Sequence, residues 1–284
     1  MTKFQDLNLS NAFLFAATAQ DPEACRAILQ IVLEREISQV HVHAEHTVLF
    51  SSDYRMVRFD VFGEDELDVQ YNIEMQNKNE GNLPHRSRYH HAEMDVSTLK
   101  PGMNFRQLKP SYVIFICTFD PFGKELYRYT FTQHCKEADI PLGDETCTIF
   151  ISTKGKNPES ISEELREFLA YIENSTDEFV TDGKAIALKM LHEKVKQVKK
   201  NAELEVKYMT GEDLLRWNRE EGKAEGKAEG KAESILIVLS AKFEVPAEVR
   251  EKILSQSDVS VLDEWLVLAT KVTSAEDFNK EILQ

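Results

Sequence analysis

The sequence predicts an α+β (α/β) domain followed by an all-helical C-terminal region. Three observations carry that expectation. Apolar residues recur at helical intervals near the start, with Ile28, Leu29, Ile31, Val32 and Leu33 forming a broad face. Two short runs at 57–62 and 71–76 alternate in the manner of strands, and Ser111-Tyr112-Val113-Ile114-Phe115-Ile116-Cys117-Thr118-Phe119 is a continuous apolar run expected of a strand covered on both faces. Beyond Pro158 the composition turns periodic and charged, as helices require.

At 284 residues, 42% of them hydrophobic, the chain can bury a full core as one large domain or two smaller ones. No apolar run is long enough to span a bilayer. The N-terminus, Met1-Thr2-Lys3-Phe4-Gln5-Asp6, has no basic segment leading into an apolar stretch, so neither a signal peptide nor a membrane anchor is expected and a cytoplasmic location is. Cys25, Cys117, Cys135 and Cys147 are scattered with no C-x-x-C pair, which reads as reduced thiols and not as a disulfide frame or zinc site. A formal charge of −15 argues against polyanion binding by the surface as a whole, while leaving room for a local basic face.

Taken in order, residues 7–18 have helical periodicity. Asp21-Pro22-Glu23 then reads as a helix start, with Asp as N-cap and Pro in the first turn, and the helix runs on to about Glu36. From Ile37 the period shifts towards two (Val40, Val42, then Val48, Leu49, Phe50), predicting a strand. His41, His43 and His46 lie on it; they are solvated imidazoles or a metal cluster, with no Cys or acid spaced to complete a zinc site. The runs 57–62 and 71–76 follow as a hairpin across the polar turn Gly63-Glu64-Asp65-Glu66-Leu67-Asp68. A loop with Gly81 leads to a helix over 84–99, closed by Lys100-Pro101-Gly102. After the buried strand, Asp120-Pro121-Phe122-Gly123 is a turn, and 127–133 and 147–152 add strands. Up to Phe119 the order is helix, strand, hairpin, helix, buried strand: α-β-β-β-α-β.

The division expected is a core over 1–155, a helical extension over 156–221, a repeat over 222–233 and a small helical tail over 234–284. The repeat is Gly-Lys-Ala-Glu three times, starting at Gly222, Gly226 and Gly230. Its four-residue period stacks like charges, and each Gly costs about 1 kcal/mol relative to Ala in a helix. It is either a charged linker or a helix whose glycine stripe another helix covers. Apolar anchors on both sides, Trp217 and Ile235 to Leu239, favour the helix. The tail's apolar faces fit self-association into a homo-oligomer, a dimer being the simplest.

Chemistry concentrates on the hairpin. Asp60 and Glu74 stand among residues that want a core, and a carboxylate is costly to bury unless it is paired or holds a cation. Alternation sets Asn72, Glu74 and Gln76 on one face of the second strand, and a suitable register brings Asp60 to it. Two carboxylates plus water suit Mg²⁺, with Mn²⁺ as an alternative. By itself, D…E-x-Q also describes the polar, solvent-facing side of a hairpin.

Longer motifs add to this. R-F-D-V-F (58–62), Y-N-I-E-M-Q-N (71–77), L-P-H-R-S-R-Y-H (83–90), L-K-P-S-Y-V-I-F-I-C-T-F-D-P-F-G (108–123) and Y-x-F-T (129–132), in this order, resemble the PD-(D/E)XK nuclease family transposases, the recombination-promoting nucleases. The resemblance covers the first half to two-thirds of the chain. It implies a restriction-endonuclease-like core, cleavage of DNA and a divalent cation. Carried over by position, Asp60 and Glu74 are the metal ligands, and Gln76 stands where the wider superfamily has lysine. Glutamine orients water by hydrogen bonds but brings no charge, so slow or conditional cleavage is expected. An additional acid in the first helix is assigned only loosely, to Glu34 or Glu36, with Gln30 at another site. Arg86, Arg88 and Tyr89 match the family's R-S-R-Y element, with His90 where a second tyrosine is usual. With Lys100, Arg106 and Lys109 they form a basic stretch for DNA phosphates; salt bridging to the hairpin carboxylates is the other reading.

Overall fold

A computed structural model describes residues 3–43, 47–48, 57–58, 61–180 and 184–282. Two compact units emerge, Met1–Tyr208 and Met209–Gln284.

The first unit is built on a six-stranded mixed sheet. A short 3₁₀ turn, Phe4–Asp6, precedes α1 (Ala12–Ala19) and α2 (Pro22–Leu33). The helix expected over 7–18 starts later, because Asn11 takes the N-cap and its side chain accepts from the Leu14 amide. Asp21 caps α2 by accepting from the amides of Glu23 and Ala24. Strands β1 (Val40–His43), β4 (Val61–Asp65) and β5 (Gln70–Gln76) are antiparallel neighbours. Between β1 and β4, β2 (Thr47–Val48) and β3 (Val57–Arg58), among the described residues, pair only with each other. Helix α3 (Leu83–Thr98) then crosses to β6 (Ser111–Cys117), parallel to β5. Strands β7 (Arg128–Phe131) and β8 (Thr146–Ser152) complete the order β1-β4-β5-β6-β8-β7, with β8 parallel to β6 and antiparallel to β7. This is the α-β-β-β-α-β core with added strands.

The hairpin turn lies later than 63–68. Gly63 and Asp65 belong to β4, because β1 runs alongside with Val42 opposite Gly63. A Cβ there would come 3.1 Å from the His41 carbonyl oxygen, so glycine lets the two strands close where any other residue would push them apart by a few tenths of an ångström. Asp65 then organises the turn, accepting from the amides of Leu67 and Val69 and from the Tyr71 hydroxyl at 2.5 Å. Arg35 donates to the same hydroxyl.

Pleating separates two cores. Val61, Tyr71, Ile73, Met75, Ile114, Ile116, Ile149 and Ile151 face the larger one, which contains α1, α2, α4 (Glu163–Glu173) and α5 (Ile186–Lys199). Phe62, Val113, Phe115, Cys117 and Phe150 face the other way, towards Leu83 and Met94 of α3, with Phe115 stacked on Phe150. Each large apolar side chain so buried contributes roughly 1.5–3 kcal/mol. The boundary expected at 155 falls inside this packing: Leu165, Phe168, Leu169, Leu188 and Leu191 belong to the large core, and the unit runs on to Tyr208.

Helix α6 (Ala202–Ser240) takes in the whole Gly-Lys-Ala-Glu repeat. Ala228 and Ala232 are buried with Ile235, Leu236 and Leu239 against α7 (Ala247–Leu254), α8 (Val259–Lys271) and α9 (Ala275–Ile282), which supply Val249, Ile253, Leu262, Ala269 and Phe278. Gly222, Gly226 and Gly230 point away; among the described residues nothing lies within 4 Å of where a Cβ would stand. The repeat is therefore helical by virtue of its alanines, and among the described residues no helix covers the glycine stripe. Lys242 donates to the carbonyls of Ala269, Thr270 and Val272, closing the C-terminal end of α8.

Candidate active site

Glu74 is 1% exposed, and four neighbours hold its carboxylate. Arg86 Nη2 donates to Oε2 at 2.5 Å, and Gln76 Nε2 donates to the same oxygen at 3.2 Å. His90 Nε2 lies 2.7 Å from Oε1, which also accepts from Asn72 Nδ2 at 3.3 Å. Burial alone would push this carboxyl up; the His90 ring, the Arg86 guanidinium and the Asn72 amide outweigh it and hold the group below its ordinary value. It stays an anion, with hard oxygens turned to the α3 side of the sheet.

Local sequence explains the convergence. Asn72, Glu74 and Gln76 share a face of β5 because strand side chains alternate. Arg86 and His90 lie four apart on α3, hence on one helix face, turned to that strand. Pro84 stands in the first turn of α3, where its missing N–H costs nothing. The Arg86 guanidinium also donates through Nη1 to Gln76 Oε1 at 3.1 Å and stands 5.8 Å from the Phe115 ring centroid.

Of the residues singled out in the sequence, Glu74, Gln76 and Arg86 come together. Asp60 and His46 lie outside the described residues. Arg88 is exposed, 200° round the helix from Arg86, and Tyr89 is exposed beside it. Arg86 is thus in the salt bridge to the hairpin carboxylate. Lys109 pairs with Asp68 at 2.5 Å, and Lys100 and Arg106 are exposed. Glu34 is turned elsewhere: left-handed at the end of α2 (φ 53°), it pairs with Arg128 at 2.6 Å and accepts from the Ser162 amide at 2.7 Å. Gln30 donates to Glu36 on the same side. Among the described residues, no group of three or more His, Cys, Asp or Glu side chains is placed to hold a metal. His90 was legible only as a departure from a motif; its i+4 spacing from Arg86 was the available signal.

The donors present fit a hard divalent cation. Glu74 is anionic and oxygen-bearing, and two residues before it on the same face Asn72 Oδ1 is buried with no partner among the described residues.

A mixed six-stranded sheet with a helix crossing between its parallel strands, and a buried acid on the helix-covered face, is the architecture of restriction-endonuclease-like nucleases. The profile of the PD-(D/E)XK nuclease family transposases matches residues 13–224, and the chain belongs to that family. No match was found to a curated protein or to a solved structure. No helix among the described residues is long and apolar enough to cross a membrane.

Proposed function

We propose that this protein is a metal-dependent DNA endonuclease of the recombination-promoting kind, hydrolysing phosphodiesters with Asp60 and Glu74 as ligands of Mg²⁺ or Mn²⁺. The observation that carries the reading is Glu74: a buried carboxylate kept ionised on the α3 face of β5, in a chain of the PD-(D/E)XK family. Asp60 directly precedes Val61, whose partner across the hairpin is Ile73, the neighbour of Glu74; this adjacency supports pairing the two acids. The cation, when bound, polarises the phosphodiester and acidifies an attacking water. Gln76 orients that water by hydrogen bonding, and His90 and Asn72 fix the Glu74 carboxylate from the far side. Arg88 and Tyr89 are exposed on α3 for the DNA backbone. The test is nicking of supercoiled plasmid with Mg²⁺ or Mn²⁺. Cleavage should vanish with EDTA and in Asp60→Ala and Glu74→Ala; equal activity in wild type and variants removes the assignment.

A second reading is a nuclease-derived DNA-binding or regulatory protein without turnover. Gln76 in place of lysine and the engagement of both Glu74 oxygens by Arg86 and His90 favour it. It requires DNA binding that EDTA does not alter.

A further inference from the structure

In the PD-(D/E)XK motif of the wider superfamily the residue two after the acid is a lysine, and here that position is Gln76. The missing cation has a counterpart in space. Arg86, Gln76 and Glu74 close a ring of three hydrogen bonds: Arg86 Nη1 to Gln76 Oε1 at 3.1 Å, Gln76 Nε2 to Glu74 Oε2 at 3.2 Å, and Arg86 Nη2 to the same Glu74 oxygen at 2.5 Å. We propose that Arg86 supplies from α3 the positive charge that the motif otherwise places on β5, and that Gln76 is the seat that this displaced charge requires. The proposal rests on the nuclease reading for its chemistry, but its geometry stands apart from it.

The choice of glutamine follows from donors and acceptors. A lysine at position 76 has only donors, and its ammonium would face the guanidinium across a contact now 3.1 Å long. Two cations would then share one carboxylate oxygen, a like-charge contact in a largely buried place. An amide avoids this, because its oxygen accepts from arginine while its nitrogen donates to glutamate. Positions 76 and 86 therefore carry one cationic side chain between them, on the helix or on the strand, and not both.

Arg86 is suited to the task. Its side chain is 36% exposed, against 1% for Glu74, so the guanidinium reaches the surface that a phosphodiester can approach while the acid does not. Two of its donor nitrogens are engaged and the fork retains further N–H groups for a phosphate oxygen, a geometry lysine cannot offer. Arg86 is thus assigned to the phosphate at the reacting centre, and Arg88, on the outer face, to the flanking backbone.

The test compares wild type with Gln76→Lys, Arg86→Gln, Arg86→Lys and the double variant Gln76→Lys/Arg86→Gln. Melting temperature is read in EDTA, and the affinity for a fluorescein-labelled DNA duplex by anisotropy in Ca²⁺. Gln76→Lys should melt several degrees lower than wild type, and the double variant should recover most of that loss, since it returns to one cation. Arg86→Gln should bind the duplex about tenfold more weakly, with Arg86→Lys and the double variant within about threefold of wild type. A neutral Gln76→Lys, or a double variant that neither melts above Gln76→Lys nor binds better than Arg86→Gln, overturns the proposal. Arg86→Lys keeps the test decisive if Arg86→Gln fails to fold. Plasmid cleavage by the same proteins is scored separately. Compensation without cleavage by any form supports the displaced charge and removes the nuclease reading.

Discussion

At Glu74 the sheet buries a carboxylate that only its neighbours keep charged, so replacing its charge but not its shape is informative. Glu74→Gln should cost about 1–3 kcal/mol in urea unfolding, because Arg86 and His90 then face a neutral amide, and should abolish any rise in melting temperature on adding Mn²⁺. His91, the next residue on α3, gives a pH dependence instead. Its ring lies 2.8 Å from Ser111 Oγ and 3.1 Å from Thr148 Oγ1, and burial, opposed in part by Asp144, pulls its pKa down to about 4 from 6.5. The unfolded chain takes up this proton near pH 6.5 while the folded protein resists until about pH 4. Stability from this group is therefore complete above pH 6.5 and is lost as the pH falls towards 4, about 2 kcal/mol of it by pH 5. Urea melts at pH 7 and pH 5 should show that loss in wild type and a smaller one in His91→Gln. Alternation put Glu74 and Gln76 on one face in the sequence, and the resemblance of the longer motifs, not the spacing, marked that face as a site. The partners of Glu74 from α3 were less legible. Which side of a helix meets a strand depends on packing, and a charge on that helix reads equally as a DNA contact or a counter-ion.

At the scale of elements, long periodic stretches were read within a residue or two, as α3 and β6 show, and turns were not. The 63–68 turn was misplaced because Gly63 and Asp65 carry turn chemistry, yet β1 pairs along them and draws both into β4. The repeat was ambiguous for the opposite reason: its charges and glycines argue against an isolated helix, and only the burial of Ala228 and Ala232 decides it. Gly222, Gly226 and Gly230 lie within 80° on the helix surface, and Ile237, 71% exposed, lies in the same sector. As α6 stands, replacing all three glycines with alanine should raise stability by up to about 1 kcal/mol each. If a second copy packs on this stripe, the same triple variant loosens the resulting dimer. Light scattering with thermal melts separates the cases: a higher melting point with unchanged mass sinks self-association through the glycines.

At the scale of the molecule there are two compact units, and a single unfolding transition is not expected of such a chain. Phe278 is fully buried in the second, so Phe278→Ala should cost that unit about 3–5 kcal/mol while duplex affinity at the Glu74 site is retained. Calorimetry beside anisotropy checks both. The division expected at 155 missed this arrangement because composition changes there while packing does not. Helices α4 and α5 look like an appendage in sequence, but Lys194 of α5 pairs at 2.8 Å with both Asp21 and Glu23 at the start of α2.

Those bridges have a consequence for the order of events during synthesis. The sheet face opposite Glu74 is covered in part by α1 and α2, which are made before it. It is completed by segments made after it, up to Val195 and Tyr208, so on the ribosome the hairpin emerges well before its covering is complete. A nascent chain stalled after β8 has all its strands and the Arg86 helix, but its largest apolar face still lacks the part that α4 and α5 cover. The first unit is thus expected to mature only once some 200 residues have left the exit tunnel, and never as a released fragment ending at 155. A cell making this protein is spared an active half-translated chain, should the proposed activity hold, by the same helices that complete the core.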